Sequence, residues 1–412
     1  MRFRACTAFW VLACILGALL FASSVPSPLY VVYQREWHFS AVTLTGVFAV
    51  YALALLVALL VVGSISDHVG RRPTLLVALL VEILAMLVFA EAGGVGWLFA
   101  ARVLQGLATG TAMGAITAAL LDLQPASKPW LGGLMGAVAP MTGLALGALS
   151  AGLLVDYGPD PARFVFLLLI ATFVLALFAV FSIPETVIRD GAWRGSLALR
   201  IAVPRQMRSR FIAAVPSLMA TWALGGLILS LGASLTVGVL DEASHLAGGL
   251  PIFVMAGVSA IMAVRLRHTH PQVTARWGLS ALIAGVALAL VALQLRSNAL
   301  FLVASAIAGL GFGPAFAGVF RVLSELAPRD ERAGLVSSVL AVSYLAFSLP
   351  AVAAGAVITD FGLRDTAEIY GVALIVSAVI ALVLSGSLAT STPGTRPNEN
   401  GPASAYHQRD EG

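Results

Sequence analysis

Arg102 stands in the middle of an apolar run, in Ala101-Arg102-Val103-Leu104-Gln105-Gly106. A guanidinium in hydrocarbon costs about 2.5–3.5 kcal/mol on insertion scales, so by default it marks an ion pathway, a proton relay or a paired site. Trp97 lies only five residues earlier and keeps open a second reading, in which the side chain snorkels to the interface. Glu82 is the only carboxylate well inside an apolar run, about 12 Å from its nearer end by helix rise. An acid there can carry a proton across a membrane, or act as a protonated structural hydrogen-bond donor. Asp122, which closes the run containing Arg102, is the second proton candidate.

Other chemistries find no footing. His38, His68, His245, His268, His270 and His407 all lie outside the apolar runs and form no paired metal ligands. The chain has neither a Gly-x-Ser-x-Gly nucleophile elbow nor a Gly-Lys-Ser/Thr phosphate loop, which argues against a hydrolase or an ATP-driven pump. Cys6 and Cys14 are eight residues apart, about 12 Å along a helix, too far to bridge. No cofactor and no metal are expected.

The elements that must position these side chains belong to a bilayer. Hydrophobic residues make up 59% of the 412 and charged ones 11%, against about 45–50% and about 25% in soluble domains. Spans of about 20 apolar residues are needed to cross the hydrocarbon core. Twelve are readable: Thr7–Tyr30, Val42–Ile65, Thr74–Ala92, Trp97–Leu121, Trp130–Val155 and Phe164–Ile183, then Ile212–Val239, Leu246–Val264, Trp277–Leu295, Leu300–Leu323, Ala333–Ile358 and Ile369–Ala389. Met1–Arg4 before an apolar stretch also fits a leader, but the uncharged run from Ala5 to Gln34 exceeds a leader's length and reads as a first span. Alternate gaps differ sharply in basic residues. One side holds Arg71, Arg72, Lys128 and the six arginines from Arg189 to Arg210, and the other only Arg35, Arg163, Arg296 and Arg364. The positive-inside rule then places both termini in the cytoplasm.

The expected fold class is an all-α membrane protein of 12 transmembrane helices in two six-helix halves. Its organisation reads as residues 1–183, a cytoplasmic linker 184–211, residues 212–390, and a tail 391–412 too polar to build a core. Trp193, Leu197, Ile201 and Met207, interleaved with arginines, make the linker either a basic amphipathic segment on the inner leaflet or a solvated connection.

Between spans two and three stands Gly63-Ser64-Ile65-Ser66-Asp67-His68-Val69-Gly70-Arg71-Arg72. Gly63 permits close helix approach, Gly70 can take the positive φ of a tight turn, and Asp67 is an anion able to meet a helix N-terminus. This stretch resembles the signature of the major facilitator superfamily, and Arg102, Gln105 and Gly106 resemble a second motif of that family. Span five, with Gly132, Gly136, Pro140, Gly143 and Gly147, is similar to the antiporter signature of its exporters, although Ala139 and Leu144 replace two usual glycines. Ile183-Pro184-Glu185-Thr186 closes span six as in drug-efflux members. The equivalent loop of the second half, Arg265–Pro271, lacks both the acid and the turn glycine.

The resemblance implies a central cavity lined by spans one, four, seven and ten and opening alternately to each side. It also implies that Asp67 docks near Asp330–Gly334 in the outward-open state. Candidate lining residues are Ser23, Ser24, Ser27, Tyr30, Tyr33, Gln105, Thr109, Trp222 and Phe316, a wall suited to moderately apolar molecules. Pro26 and Pro28 should bend or unwind span one locally. The function implied is proton-coupled efflux of small hydrophobic or cationic compounds. Transport of a sugar or other metabolite is the alternative, because span one carries no carboxylate, and a membrane enzyme or receptor is the third reading. Implied partners are a small-molecule substrate, protons and the lipid bilayer, with no nucleic acid. The expected form is a monomer in a bacterial inner membrane.

Overall fold

The structure is a computed structural model that describes residues 3–62, 66–158, 160–187, 201–242, 244–328 and 331–386, and these are helical almost throughout. The first span is α1 (Ala5–Ser24) continued by α2 (Pro26–Trp37). Their junction, Val25, keeps helical dihedrals. Pro26 and Pro28 have no N–H to give to the preceding turn, so hydrogen bonding is interrupted while the axis carries on. The first half continues with α3 (Ala41–Val62), a short α4 (Ser66–Val69), α5 (Arg71–Ala90), α6 (Val95–Leu123), α7 (Leu131–Tyr157) and α8 (Pro161–Phe181). The second contains α9 (Arg208–Gly238), α10 (His245–Arg265), α11 (Pro271–Gln294), α12 (Asn298–Leu326) and α13 (Arg332–Leu384).

Eleven segments among the described residues are long and apolar enough to cross a membrane. The last, α13, runs for 53 residues, about 80 Å of helix against a hydrocarbon core of about 30 Å. It turns back at Gly362, whose φ of 81° breaks the helical path and is readily taken only by a residue without a Cβ. Twelve spans result. Both described ends of the chain therefore lie on one face, called here the terminus face, and the opposite one is the far face.

Helices α1–α8 pack chiefly on one another, as do α9–α13. The main joins between the groups are α3 with α13 and α7 with α10, with smaller contacts of α2 and α3 against α9 and of α2 against α10. The 3-10 turn Arg205–Met207 precedes α9, and Met207 is buried beside Leu218, Leu323 and Val339. The linker's Met207 thus faces protein, not the leaflet, because a groove under the second half covers its side chain better than headgroups would. Ile201 is exposed, while Trp193 and Leu197 lie outside the described residues.

Candidate functional site

Three other spans, the first, second and third, converge on Arg102. Successive residues on one face of α6, at positions i, i+3 and i+7, bring Arg102, Gln105 and Thr109 into line. The guanidinium does not snorkel. It is 1% exposed, donating from Nε to the Tyr30 hydroxyl at 2.6 Å and from Nη1 to the Ser23 carbonyl at 3.0 Å and Gln105 Oε1 at 2.7 Å. The rings of Tyr51, Tyr30 and Phe89 surround it, with centroids 5.0, 5.4 and 5.8 Å from its central carbon. Such cation–π contacts gain strength when desolvated.

Glu82 completes the network from α5. Its span lies at the edge of the first half, yet the carboxylate points inward, accepting from Gln105 Nε2 and from Thr109 Oγ1, each at 3.5 Å. Arg102 and Glu82 are therefore joined through one amide, Gln105, whose oxygen accepts from the guanidinium and whose nitrogen donates to the carboxyl group. All of these side chains are buried. Buried polar groups are tolerable in hydrocarbon only when hydrogen-bonded, and each member of this network is. The network also makes the protonation of Glu82 matter to everything Arg102 holds, including the main chain of the first span.

Across the centre, the second half presents aromatic rings. Trp222 of α9 lies against Tyr344, Phe316 and Phe347, with centroids at 4.9, 5.3 and 5.7 Å. Phe347 in turn meets Phe48 of α3 at 4.9 Å, a ring contact from one half to the other. Trp222 Nε1, Ser343 Oγ, Ser27 Oγ and the Tyr51 hydroxyl are buried among the described residues without a hydrogen-bond partner of normal geometry. Each such buried polar atom calls for an explanation, and a bound ligand would supply one. Tyr33, by contrast, stacks on Trp37 at 4.7 Å near the far end of the first span, away from Arg102. Sequence reasoning missed Tyr51, Tyr344, Phe347 and Phe48. A tyrosine inside the apolar run of α3 was the available signal for the first, and nothing local marked the phenylalanines.

A second network sits on the terminus face. Gly70, at φ 111°, makes the turn into α5. Glu185, just beyond α8, accepts from the backbone N–H groups of Arg71 and Arg72 at 2.9 and 3.1 Å, capping the start of α5. Arg71 pairs with Asp67 at 2.5 Å and approaches Asp122 at 3.4 Å, and Asp122 also accepts from Thr186 at 2.9 Å. Asp122 thus belongs with the signature loop, distant from the buried chain. Gly63 and Asp330 lie outside the described residues. Among those described, the ion pair of Asp67 is with Arg71, and the Gly334 carbonyl at the start of α13 accepts from Ala202 of the linker.

The glycines of α7 have separate duties. A Cβ at Gly143 or Gly147 would run into the main chain of Gly17 and Phe21, so these two seat the first span, with buried Pro140 between them and the terminus face. Gly136 is roomier, its nearest neighbour being Thr117 Cγ2 at 3.8 Å.

Known proteins place this architecture. The sequence is 26% identical over 240 residues to the class B tetracycline resistance protein of Escherichia coli, spanning 56% of this chain and 56% of that relative's length. The fold matches a mutant of the nucleoside transporter NupG with a TM-score of 0.72 at 12% identity, over 93% of this chain and 99% of that one. It also matches the human organic anion transporter MFSD10 (TETRAN) with a TM-score of 0.65 at 17% identity, over 92% and 100% of the two chains. The family model for the Major Facilitator Superfamily covers residues 12–270, more than half of the 412. With this family match and its multi-pass helical fold, the chain belongs to the Major Facilitator Superfamily, a family of membrane transporters.

Proposed function

We propose that this transporter is a proton-coupled exporter of small hydrophobic or cationic compounds that works by alternating access. The observation carrying the reading is the buried chain Glu82–Gln105–Arg102–Tyr30, which links a protonatable carboxylate to the first span through hydrogen bonds. With Glu82 charged, Arg102 has its complement and holds the Ser23 carbonyl and Tyr30. A proton on Glu82 removes that complement, weakens the hold and lets the first span shift relative to the fourth. The opposing wall of Trp222, Phe316 and Tyr344 suits stacking of apolar or cationic ligands. Likeness to a tetracycline resistance protein supports export. Residues 1–183 and 212–390 act as the two moving halves, joined by 184–211, in a monomer of a bacterial inner membrane. The basic gaps put the terminus face in the cytoplasm.

Everted vesicles loaded against a panel of compounds, with and without a proton gradient, test direction, coupling and substrate class together. Glu82→Gln is expected to keep gradient-free exchange and lose gradient-driven accumulation. Full proton-driven accumulation by this variant would refute the assignment and turn attention to Asp122.

A further inference from the structure

Asp156, near the far-face end of α7, reaches across to the other half. Its Oδ1 accepts from the backbone N–H of His245 at 3.0 Å and faces His245 Nδ1 at 2.9 Å. Its Oδ2 accepts from the N–H of Leu246 at 3.0 Å and from the Ser244 hydroxyl at 2.6 Å. These are the first residues of α10 and its N-cap, where helical N–H groups have no partner within the helix and the helix end is electropositive. A carboxylate from one half thus supplies what the first turn of a helix in the other half lacks. Ser244 also caps its own helix by accepting from Ala247 N at 3.4 Å.

The approach is built into the backbone. One turn before Asp156, a Cβ on Gly152 would come within 2.8 Å of Leu246 Cα and 2.9 Å of the His245 carbonyl oxygen. A further turn along the contact, Gly249 lies against the Ala148 carbonyl. Three small residues let the two main chains touch just where the carboxylate must reach.

We propose that Asp156 is a far-face latch, which closes that side of the transporter by capping α10 and must let go whenever the side opens. Hydrogen bonds of about 3 Å cannot survive separation of the far-face ends of α7 and α10, so the latch exists in one access state only. Its acid lies in no family signature described above. It works at the opposite face from Asp67, by the physics of an anion at a helix N-terminus that the family resemblance implies for Asp67 in another state. The inference rests on alternating access but not on the substrate, the direction of transport or the coupling ion.

The test reads accessibility. In a background with Cys6→Ser and Cys14→Ser, Ser27→Cys places a thiol at a buried position at the start of α2. An impermeant maleimide is applied separately to each face of vesicles. Adding Asp156→Asn, which keeps the shape but removes the charge, is expected to raise the far-face labelling rate about tenfold, in line with loss of a charge-assisted bond. Asp156→Glu should restore a rate near that of the parent. An unchanged or slower far-face rate for Asp156→Asn, at parental membrane levels and melting temperature, would overturn the latch. Labelling from the far face in neither parent nor variant would instead refute alternating access at Ser27, and the latch with it.

Discussion

Removing Arg102 should cost far more than its own hydrogen bonds, and the excess should be recoverable at Glu82. Arg102→Ala abolishes donation to Tyr30, Ser23 and Gln105 and leaves the fully buried Glu82 without a positive complement. Breaking one partner out of a buried charge pair costs about 3–5 kcal/mol. Arg102→Lys keeps the charge, but a single ammonium cannot match a planar fork that reaches three acceptors on two spans, so a loss of about 1.5–3 kcal/mol is expected. Glu82→Gln alone also strips Arg102 of its complement, but the guanidinium keeps its three acceptors and the rings around it, so a smaller loss than for Arg102→Ala is expected. In the double variant Arg102→Ala with Glu82→Gln, no uncompensated charge remains, and at least half of the Arg102→Ala loss should return. Thermal unfolding of the four purified proteins in detergent provides the cycle. Costs additive to within about 0.5 kcal/mol would refute charge complementarity through Gln105.

Asp67→Asn should sharply reduce transport while insertion and melting stay near normal. Its side chain is 56% exposed and its pairing with Arg71 contributes little here, about 0–1 kcal/mol, so wild-type transport would exclude a latch role in the other access state. Trp222→Phe should slightly raise stability by deleting a buried N–H that lacks a partner, yet weaken substrate binding about tenfold if that N–H serves the ligand; equal affinity in a direct binding assay contradicts it. Gly147→Val should abolish transport and lower the melting temperature, whereas Gly136→Ala should resemble wild type, since of these two Gly147 abuts the first span and Gly136 does not. Equal effects from the two would overturn the division of labour along α7.

The spans were legible because hydrocarbon tolerates so few polar residues, and because basic residues collect on alternate gaps. Their ends were less so. The first span reads as Thr7–Tyr30 by apolarity, but its helix continues to Trp37, since a helix extends through the interface where polar side chains are welcome. The reversal at Gly362 fell within the gap between two apolar runs, as expected of a turn glycine. Within the site, Arg102, Gln105 and Thr109 could be grouped by helical spacing alone. That Glu82 faces them depends on how α5 is rotated against α6, which no local pattern of a nearly uniformly apolar helix encodes. The same holds for Tyr344, Phe347 and Asp156, whose partners are set by packing across the halves. Glu185 was noticed for its place after span six, but its capping of α5 depends on a contact 114 residues away in sequence.

The four residues between α5 and α6, from Glu91 to Gly94, bear on how this chain is manufactured. Span four is the least apolar of the spanning segments and carries an arginine at a depth where a lone helix leaves the translocon reluctantly. Span three, emerging just before it, carries the acid that Gln105 will link to that arginine. A connection so short would let the two helices meet before they leave the aqueous channel and enter the lipid as one hairpin, with Gln105 already bridging Arg102 and Glu82. On this reading, the network proposed to serve transport in the mature protein would also ease the insertion of its fourth helix during synthesis.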